Sequence, residues 1–388
     1  MSVHSDQPLQ PDRSLVSLGW TPELTSHLAA HLTATPPQNN QPQNNQPQNN
    51  QLELVPARVI LHGRAGWTVS GPAGELLADL LGRFRRGTPS HDLPAVGDWV
   101  LISPRPGERR ATIHVVLPRH SALLRKVAGI TTEAQVVAAN VDTVLVTVPL
   151  DVAPNPRLLE RQLTVAWESG AVPVVVGTKT DRVGGNDALG TVDDVLEQLR
   201  AIAIGAEVIA ISSATGDGIE QLDPWLAPGR TLVLLGPSGA GKSTLANRLV
   251  GEDRMATGGV RLSDSKGRHT TSHRELVVLP GGALLIDTPG LRELALWDAD
   301  EGVTSTFTDV EEIAEQCHFN NCAHGNEPGC AVRIAMADGS LDPGRFASWE
   351  KLQRELAHLA VQKDALLKLQ DRKKWSSITR AAKKRARP

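Results

Sequence analysis

A chain of 388 residues exceeds the roughly 250–300 at which a single core stops growing, so two or three domains are expected. Apolar content of 40%, charged content of 21% and a net charge of −3 fit a soluble globular protein. No apolar run approaches the roughly 20 residues that span a bilayer, and Met1–Gln10 is polar with no signal-peptide core, so we expect a cytoplasmic protein with no membrane partner. Three cysteines, all between 317 and 330, exclude a disulfide framework and favour a metal site in a reducing compartment.

The chain opens with a variable segment, 1–53. Leu15–Leu32 is weakly helical, and the repeated Gln-Asn-Asn-Gln-Pro of residues 38–51 is too polar to bury a core, so it reads as a linker. From 54 to 124 short apolar runs alternate with turn residues. Ala57–Leu61, Trp67–Ser70, Glu75–Leu81, Asp98–Ile102 and Thr112–Leu117 read as strands, punctuated by Gly71, Gly74, Gly87, Pro94, Gly97 and Pro106-Gly107. About five short strands in this span predict a small β-barrel, with an OB-fold as the leading choice; an SH3-like barrel leaves the same trace.

Between 125 and 298 the rhythm becomes strand–helix alternation. Strands are predicted at Val141–Val148, Val172–Val176, Glu207–Ile211 and Thr231–Leu235, and helices at Arg157–Ser169 and Val192–Ile202. This predicts an α/β domain with a parallel, doubly wound sheet and ligand loops at the strand C-termini. From 299 to 388 the chain turns mainly helical, with an apolar stripe over Ser348–Leu369. Its last 18 residues, Asp371–Pro388, carry eight Lys or Arg against one acid, a footprint for a polyanion or simply a solvated helix end. With no tyrosine and four Phe, any RNA contact is expected to lean on phosphates and shape.

The α/β segment holds every part of a GTP site in circularly permuted order. Gly236-Pro237-Ser238-Gly239-Ala240-Gly241-Lys242-Ser243-Thr244 follows an apolar strand and opens a helical run, the context a Walker A loop requires. Its glycines let backbone N–H groups close on phosphates at a helix N-terminus. Lys242 is expected to reach the β and γ phosphates, and Ser243 a magnesium ion. Asp287, in Asp287-Thr288-Pro289-Gly290, fits the magnesium-side acid, and Gly290 offers its N–H to the γ-phosphate.

Upstream of this loop lies Thr178-Lys179-Thr180-Asp181. The two carboxylate oxygens of Asp181 suit the N1–H and exocyclic amine of guanine, donors that adenine lacks in that arrangement. Lys179 is expected to pack its stem along the base. Thr178 stands where many GTPases carry Asn, keeping a hydroxyl to brace the loop but losing an amide. Ser212-Ser213-Ala214 would add a backbone donor to guanine O6. Directly after Gly290 sits Leu291, where Ras-like enzymes carry a water-orienting Gln, so intrinsic hydrolysis should be slow. His269, in Gly267-Arg268-His269-Thr270-Thr271, is the best catalytic substitute, unless it is only a hydrogen-bonded loop histidine. Thr270 or Thr271 would complete the magnesium set.

Cys317, Cys322, His324 and Cys330 supply three thiolates and an imidazole, a closed tetrahedral set for one structural Zn2+ per chain. His318 competes for the imidazole position, but beside Cys317 its reach is poorer. Three unrelated buried thiols or a redox sensor are the alternatives.

Together these residues resemble the RsgA (YjeQ) family of circularly permuted bacterial GTPases. The likeness runs from about Leu54 to the C-terminus. It rests on Ala138-Ala139-Asn140-Val141-Asp142, the Walker A loop, Gly267–Thr271, Asp287–Gly290, and Cys317 to Cys330 with Glu327-Pro328-Gly329 before Cys330 and Ala331-Val332 after it. The resemblance implies an OB-fold, a permuted GTPase domain and a helical zinc domain. It implies binding of the small ribosomal subunit and its rRNA late in maturation, and GTP hydrolysis to GDP stimulated by the subunit. It implies too that a hydrophobic Leu291 is normal and that His269 promotes hydrolysis. Thr178 and the Gln/Asn tract depart from the pattern. We expect a monomer using Mg2+ with GTP. The alternative readings are a nucleotide-gated RNA-binding module with incidental turnover, and a metal-handling GTPase, which the closed ligand set disfavours.

Overall fold

The computed structural model describes residues 12–34, 54–63, 65–82, 88–126, 134–184, 190–251, 274–287 and 300–361. The Gln/Asn tract, His269, Thr270, Thr271, Gly290, Leu291 and the basic tail lie outside the described residues.

Five strands form a closed barrel: β1 (Val55–Gly63), β2 (Gly66–Gly71), β3 (Gly74–Leu80), β4 (Trp99–Pro104) and β5 (Arg110–Val116). Their order is β1-β2-β3-β5-β4, closed by a β1–β4 pairing, with β3 and β5 parallel. That Greek-key order belongs to the OB-fold and resolves the choice left open with an SH3-like barrel. Alternate residues point inward, as a period of two demands. Ala57 and Val59, Leu76 and Ala78, Val100 and Ile102, and Ala111 and Ile113 fill the barrel with Val69.

The chain leaves the barrel through an antiparallel ribbon of β6 (Ala122–Lys126) and β7 (Ala134–Ala139), so a partition at 124/125 falls within β6. There follow β8 (Thr143–Pro149), α3 (Pro156–Glu168), β9 (Val172–Thr178), α4 (Val192–Ile202), β10 (Glu207–Ala210), β11 (Thr231–Leu235), α5 (Lys242–Val250), β12 (Arg274–Val278) and β13 (Leu284–Asp287). Strand order is β10-β9-β8-β11-β13-β12, all parallel except β12, which runs antiparallel to β13. Both faces are covered, which is why the strands read as unbroken apolar runs. Val144, Val146 and Val148 enter one core, whereas Leu145, Val174, Val176, Leu232 and Leu234 enter the other. Local signals set the helices. Asn155 caps α3 by accepting from the Leu158 N–H, with Pro156 at the first turn, and Thr191 and Asp194 form a capping box on α4.

The barrel and the α/β sheet are one continuous sheet of eleven strands. The join is β1 with β12, where Leu61 faces Glu275 and His62 faces Arg274. At the same junction lie α1 (Arg13–Ser17) and α2 (Pro22–Ala34); their Leu15, Leu24 and Leu28, with Leu18 and Trp20 from the turn between them, are buried in the main core. The Trp20 ring meets that of Trp99 edge to face at 4.8 Å, a geometry worth about 1 kcal/mol beyond its buried area. Arg58 ties the three parts together from a fully buried position. It donates to the carbonyls of Leu18, Gly97 (3.1 Å) and Asn140 (3.2 Å) and to the Thr231 hydroxyl (2.9 Å). Burial pushes its pKa down to about 10, opposed by the charges of Asp142 and Asp98, so it stays cationic at neutral pH.

The C-terminal part contains α6 (Asp300–Thr306), α7 (Thr308–Ala314), α8 (Ala331–Asp338) and α9 (343–361). It packs on α3 through a buried ion network. Glu160 of α3 accepts from Arg157 (3.0 and 3.1 Å) and from Arg345 (3.4 Å). Arg345 also grips Asp309 (2.6 and 2.8 Å) and stacks over Phe307 at 4.9 Å. Arg161 and Glu355 add a two-pronged pair at 2.8 and 2.9 Å. Among the described residues no helix is long and apolar enough to cross a membrane.

Candidate functional site

Because β8, β9, β10, β11 and β13 are parallel, their following loops all emerge at one edge of the sheet. That edge carries Thr178–Asp181 after β9, Ser212–Ala214 after β10, Gly236–Ser243 after β11, and Asp287 at the end of β13. Motifs scattered over more than a hundred positions thus meet by topology. The chain enters this sheet at β8, so the strands that carry the base loops precede the strand that carries the phosphate loop.

The phosphate loop is built on close approach. A Cβ at Gly236 would collide with the Thr147 hydroxyl and lie 2.6 Å from its carbonyl, so only glycine fits there. Gly241, at φ 85°, is the N-cap of α5 and provides no side-chain cap. The first N–H groups of α5 therefore point out of the helix toward the loop, with the positive end of its dipole behind them. The Lys242 ammonium folds back onto the carbonyls of Gly236 (2.7 Å) and Pro237 (2.6 Å). An anion in the loop would meet the same ammonium across it.

Thr178 connects this loop to the base side. Its hydroxyl lies 2.8 Å from the Ala240 carbonyl and 3.3 Å from that of Val148, so the brace expected of that hydroxyl runs to the phosphate loop itself. Lys179 adopts a left-handed backbone, φ 64°, and starts the single 3-10 turn that carries Asp181. The Ser212 hydroxyl donates to Asp181 Oδ1 at 2.6 Å and fixes the carboxylate plane. Ser213 Oγ is buried and has no partner among the described residues, an unspent polar atom in the same loop.

Asp287 sits opposite Glu275 across the β12–β13 pair. Burial, and next the charge of Glu275, raises its pKa above the usual carboxylate value. Two such acids side by side repel one another, and a divalent cation beside them would relieve that repulsion.

The second cluster lies in the C-terminal part. Cys317, Cys322, His324 and Cys330 bring their ligand atoms within 4.8 Å of one another. Cys317 Sγ is 3.6 Å from His324 Nδ1 and 3.9 Å from Cys330 Sγ, and Cys330 Sγ is 3.7 Å from His324 Nδ1. Tetrahedral coordination at ordinary metal–sulfur and metal–nitrogen bond lengths needs donor separations of about 3.5–3.8 Å, so these residues fit a metal ion. His318 is outside the cluster. Its ring packs on Phe319 at 4.7 Å, and His324 is the imidazole that lies among the three thiols. A left-handed backbone at His324, φ 56°, and the rings of Phe346 and Trp349, each 5.8 Å away, hold that imidazole in place.

Three contributors escaped sequence reasoning: Thr147, Asp151 and Glu275. Thr147 supports the loop from beneath, donating to the Leu235 carbonyl at 3.0 Å. Asp151 follows β8 and binds the Lys179 ammonium at 2.8 and 3.1 Å. Its place just past a parallel strand's C-terminus was the available signal. Glu275 had none, because β12 is too short to announce itself.

A glycine-rich loop between strand and helix, the Thr178–Asp181 loop and Asp287 on one sheet edge, entered in permuted order, give the architecture of a circularly permuted P-loop GTPase with an OB barrel and a Cys/His cluster attached. The RsgA GTPase family model matches residues 116–297. "Small ribosomal subunit biogenesis GTPase RsgA" of Opitutus terrae is 48% identical over 343 residues, covering 86% of this chain and 92% of that protein. The protein of the same name from Syntrophotalea carbinolica is 43% identical over 341 residues, with 86% and 92% covered. The crystal structure of YjeQ from Thermotoga maritima matches with a TM-score of 0.57 at 27% identity, over 79% of this chain and 99% of that one. YloQ, described as a circularly permuted GTPase, shares the fold at a TM-score of 0.56 and 22% identity, over 81% of this chain and 98% of its own. The chain belongs to the RsgA GTPase family.

Proposed function

We propose that the protein is a cytoplasmic GTPase that binds the small ribosomal subunit late in its maturation and uses GTP hydrolysis to time its release. The carrying observation is the Asp181 carboxylate, fixed by Ser212 and connected through Thr178 to the phosphate loop. The names of the curated relatives support the ribosomal partner. In this reading the loop from Gly236 to Thr244 holds the phosphates, and Asp181 with Ser212, Ser213 and Ala214 reads guanine. Ser243 and Asp287, with Thr270 or Thr271, would hold magnesium, which neutralises phosphate charge when bound. His269 would orient the attacking water in place of a glutamine, and Gly290 would sense the γ-phosphate. The thiolate-rich donor set suits zinc in a purely structural role, because no coordination position is left open. The barrel and the basic tail would meet rRNA through its phosphates.

Presence or loss of the γ-phosphate orders or releases switch loops in such proteins. A non-hydrolysable GTP analogue should therefore tighten binding to small subunits about tenfold relative to GDP, and subunits should tighten the analogue by the same factor. Sedimentation with purified small subunits measures it. Equal affinity in the two states would reject nucleotide-timed release.

A further inference from the structure

Asp151 lies outside every motif that defines the nucleotide site, yet its carboxylate is committed to that site. It follows β8 by two residues, and both its oxygens bind the Lys179 ammonium, at 2.8 and 3.1 Å. Arg182 approaches the same carboxylate at 3.8 Å and the Asp181 carboxylate at 3.9 Å. Two cations, Lys179 and Arg182, therefore flank the Asp181 reader; Arg182 lies between the two carboxylates, and Asp151 is the carboxylate that holds Lys179.

We propose that Asp151 is a positioning residue for guanine recognition, holding the Lys179 ammonium away from Asp181. The inference rests on the reading of Asp181 as the guanine acceptor. Lys179 is two positions from Asp181 and carries a left-handed backbone that a side chain rarely adopts without support. With Asp151 in place, the ammonium is anchored on the β8 side, which leaves the aliphatic stem free to pack along a bound base. Without Asp151 the nearest carboxylate left to Lys179 in its own turn is Asp181. An ion pair there would occupy Oδ2, the oxygen that Ser212 leaves unused, and compete with the guanine donors. Asp151 therefore acts through Lys179 and need not touch the nucleotide.

The test compares GDP with IDP, which lacks the exocyclic amine that Asp181 would accept, and with ADP, on the full-length protein. Calorimetry or fluorescent-nucleotide competition on wild type, Asp151→Ala and Asp151→Glu gives each affinity. Asp151→Ala is expected to weaken GDP about tenfold and to lower the GDP-to-IDP preference severalfold, while Asp151→Glu restores much of both. An unchanged GDP-to-IDP ratio in Asp151→Ala would overturn the assignment, even if overall affinity fell, because loosened packing alone would weaken both nucleotides alike. Failure of the underlying reading looks different: wild-type protein would then show no preference for GDP over ADP.

Discussion

Asp181→Asn is expected to exchange GTP for xanthosine triphosphate as the favoured nucleotide. The carboxylate presents two acceptors, and Ser212 donates to only one of them, at 2.6 Å. An asparagine keeps an acceptor for Ser212 and N1–H but turns the second position into a donor. That donor opposes the guanine amine and matches the oxygen xanthine carries there. Because the mismatch strands polar groups in a partly buried pocket, the loss for GTP should be about a hundredfold or more, with xanthosine triphosphate regaining most of it. Competition binding with the two nucleotides measures the switch. Retention of wild-type GTP affinity by Asp181→Asn would mean that another group reads the base.

Removing the metal should have the largest effect on stability. Cys330 belongs to the Cys/His cluster and is the N-cap of α8, and Val332 in the first turn of that helix is buried in the core shared with α3. Metal binding energy at such a site is folding energy, on the order of 10 kcal/mol or more. Chelation, or Cys330→Ser, should therefore release one zinc per chain and melt residues 317–330, loosening α8. The Trp349 indole, which donates to Glu311 at 2.8 Å and faces His324, should report the change by fluorescence. A metal-free protein with unaltered melting and an unaltered tryptophan signal would contradict the structural role.

The features legible in the sequence were those whose chemistry is local. A glycine-rich loop between an apolar strand and a helix and a Cys/His set within fourteen positions both carry their geometry in their spacing. Short apolar runs broken by Gly and Pro likewise made the barrel strands readable. What stayed hidden depends on partners far away in the chain. The helices α1 and α2 look weak because one face is completed by Arg58, Trp99 and the junction of barrel and sheet. The strand β12 is five residues long and alternates poorly, and its pairing with β1 spans most of the chain. The barrel's continuity with the nucleotide-bearing sheet was therefore invisible, as was the cross-strand Glu275–Asp287 pair. Asp151 is a single acid in a loop, and only its place just past the end of β8 separates it from a solvated charge. The choice of His324 over His318 was legible from the spacing, but the left-handed backbone at His324 that presents its ring was not.

If hydrolysis times release from the small subunit, GTP turnover should answer to that subunit. Leu291 cannot orient water, so the protein alone should turn over slowly, and alignment of His269 by the subunit is the proposed remedy. The direct measurement is multiple-turnover GTP hydrolysis by the full chain with magnesium, across a titration of purified small subunits. A saturable rise of about tenfold or more is expected, which His269→Ala largely abolishes while nucleotide binding persists. A turnover rate that is the same with and without small subunits would contradict it.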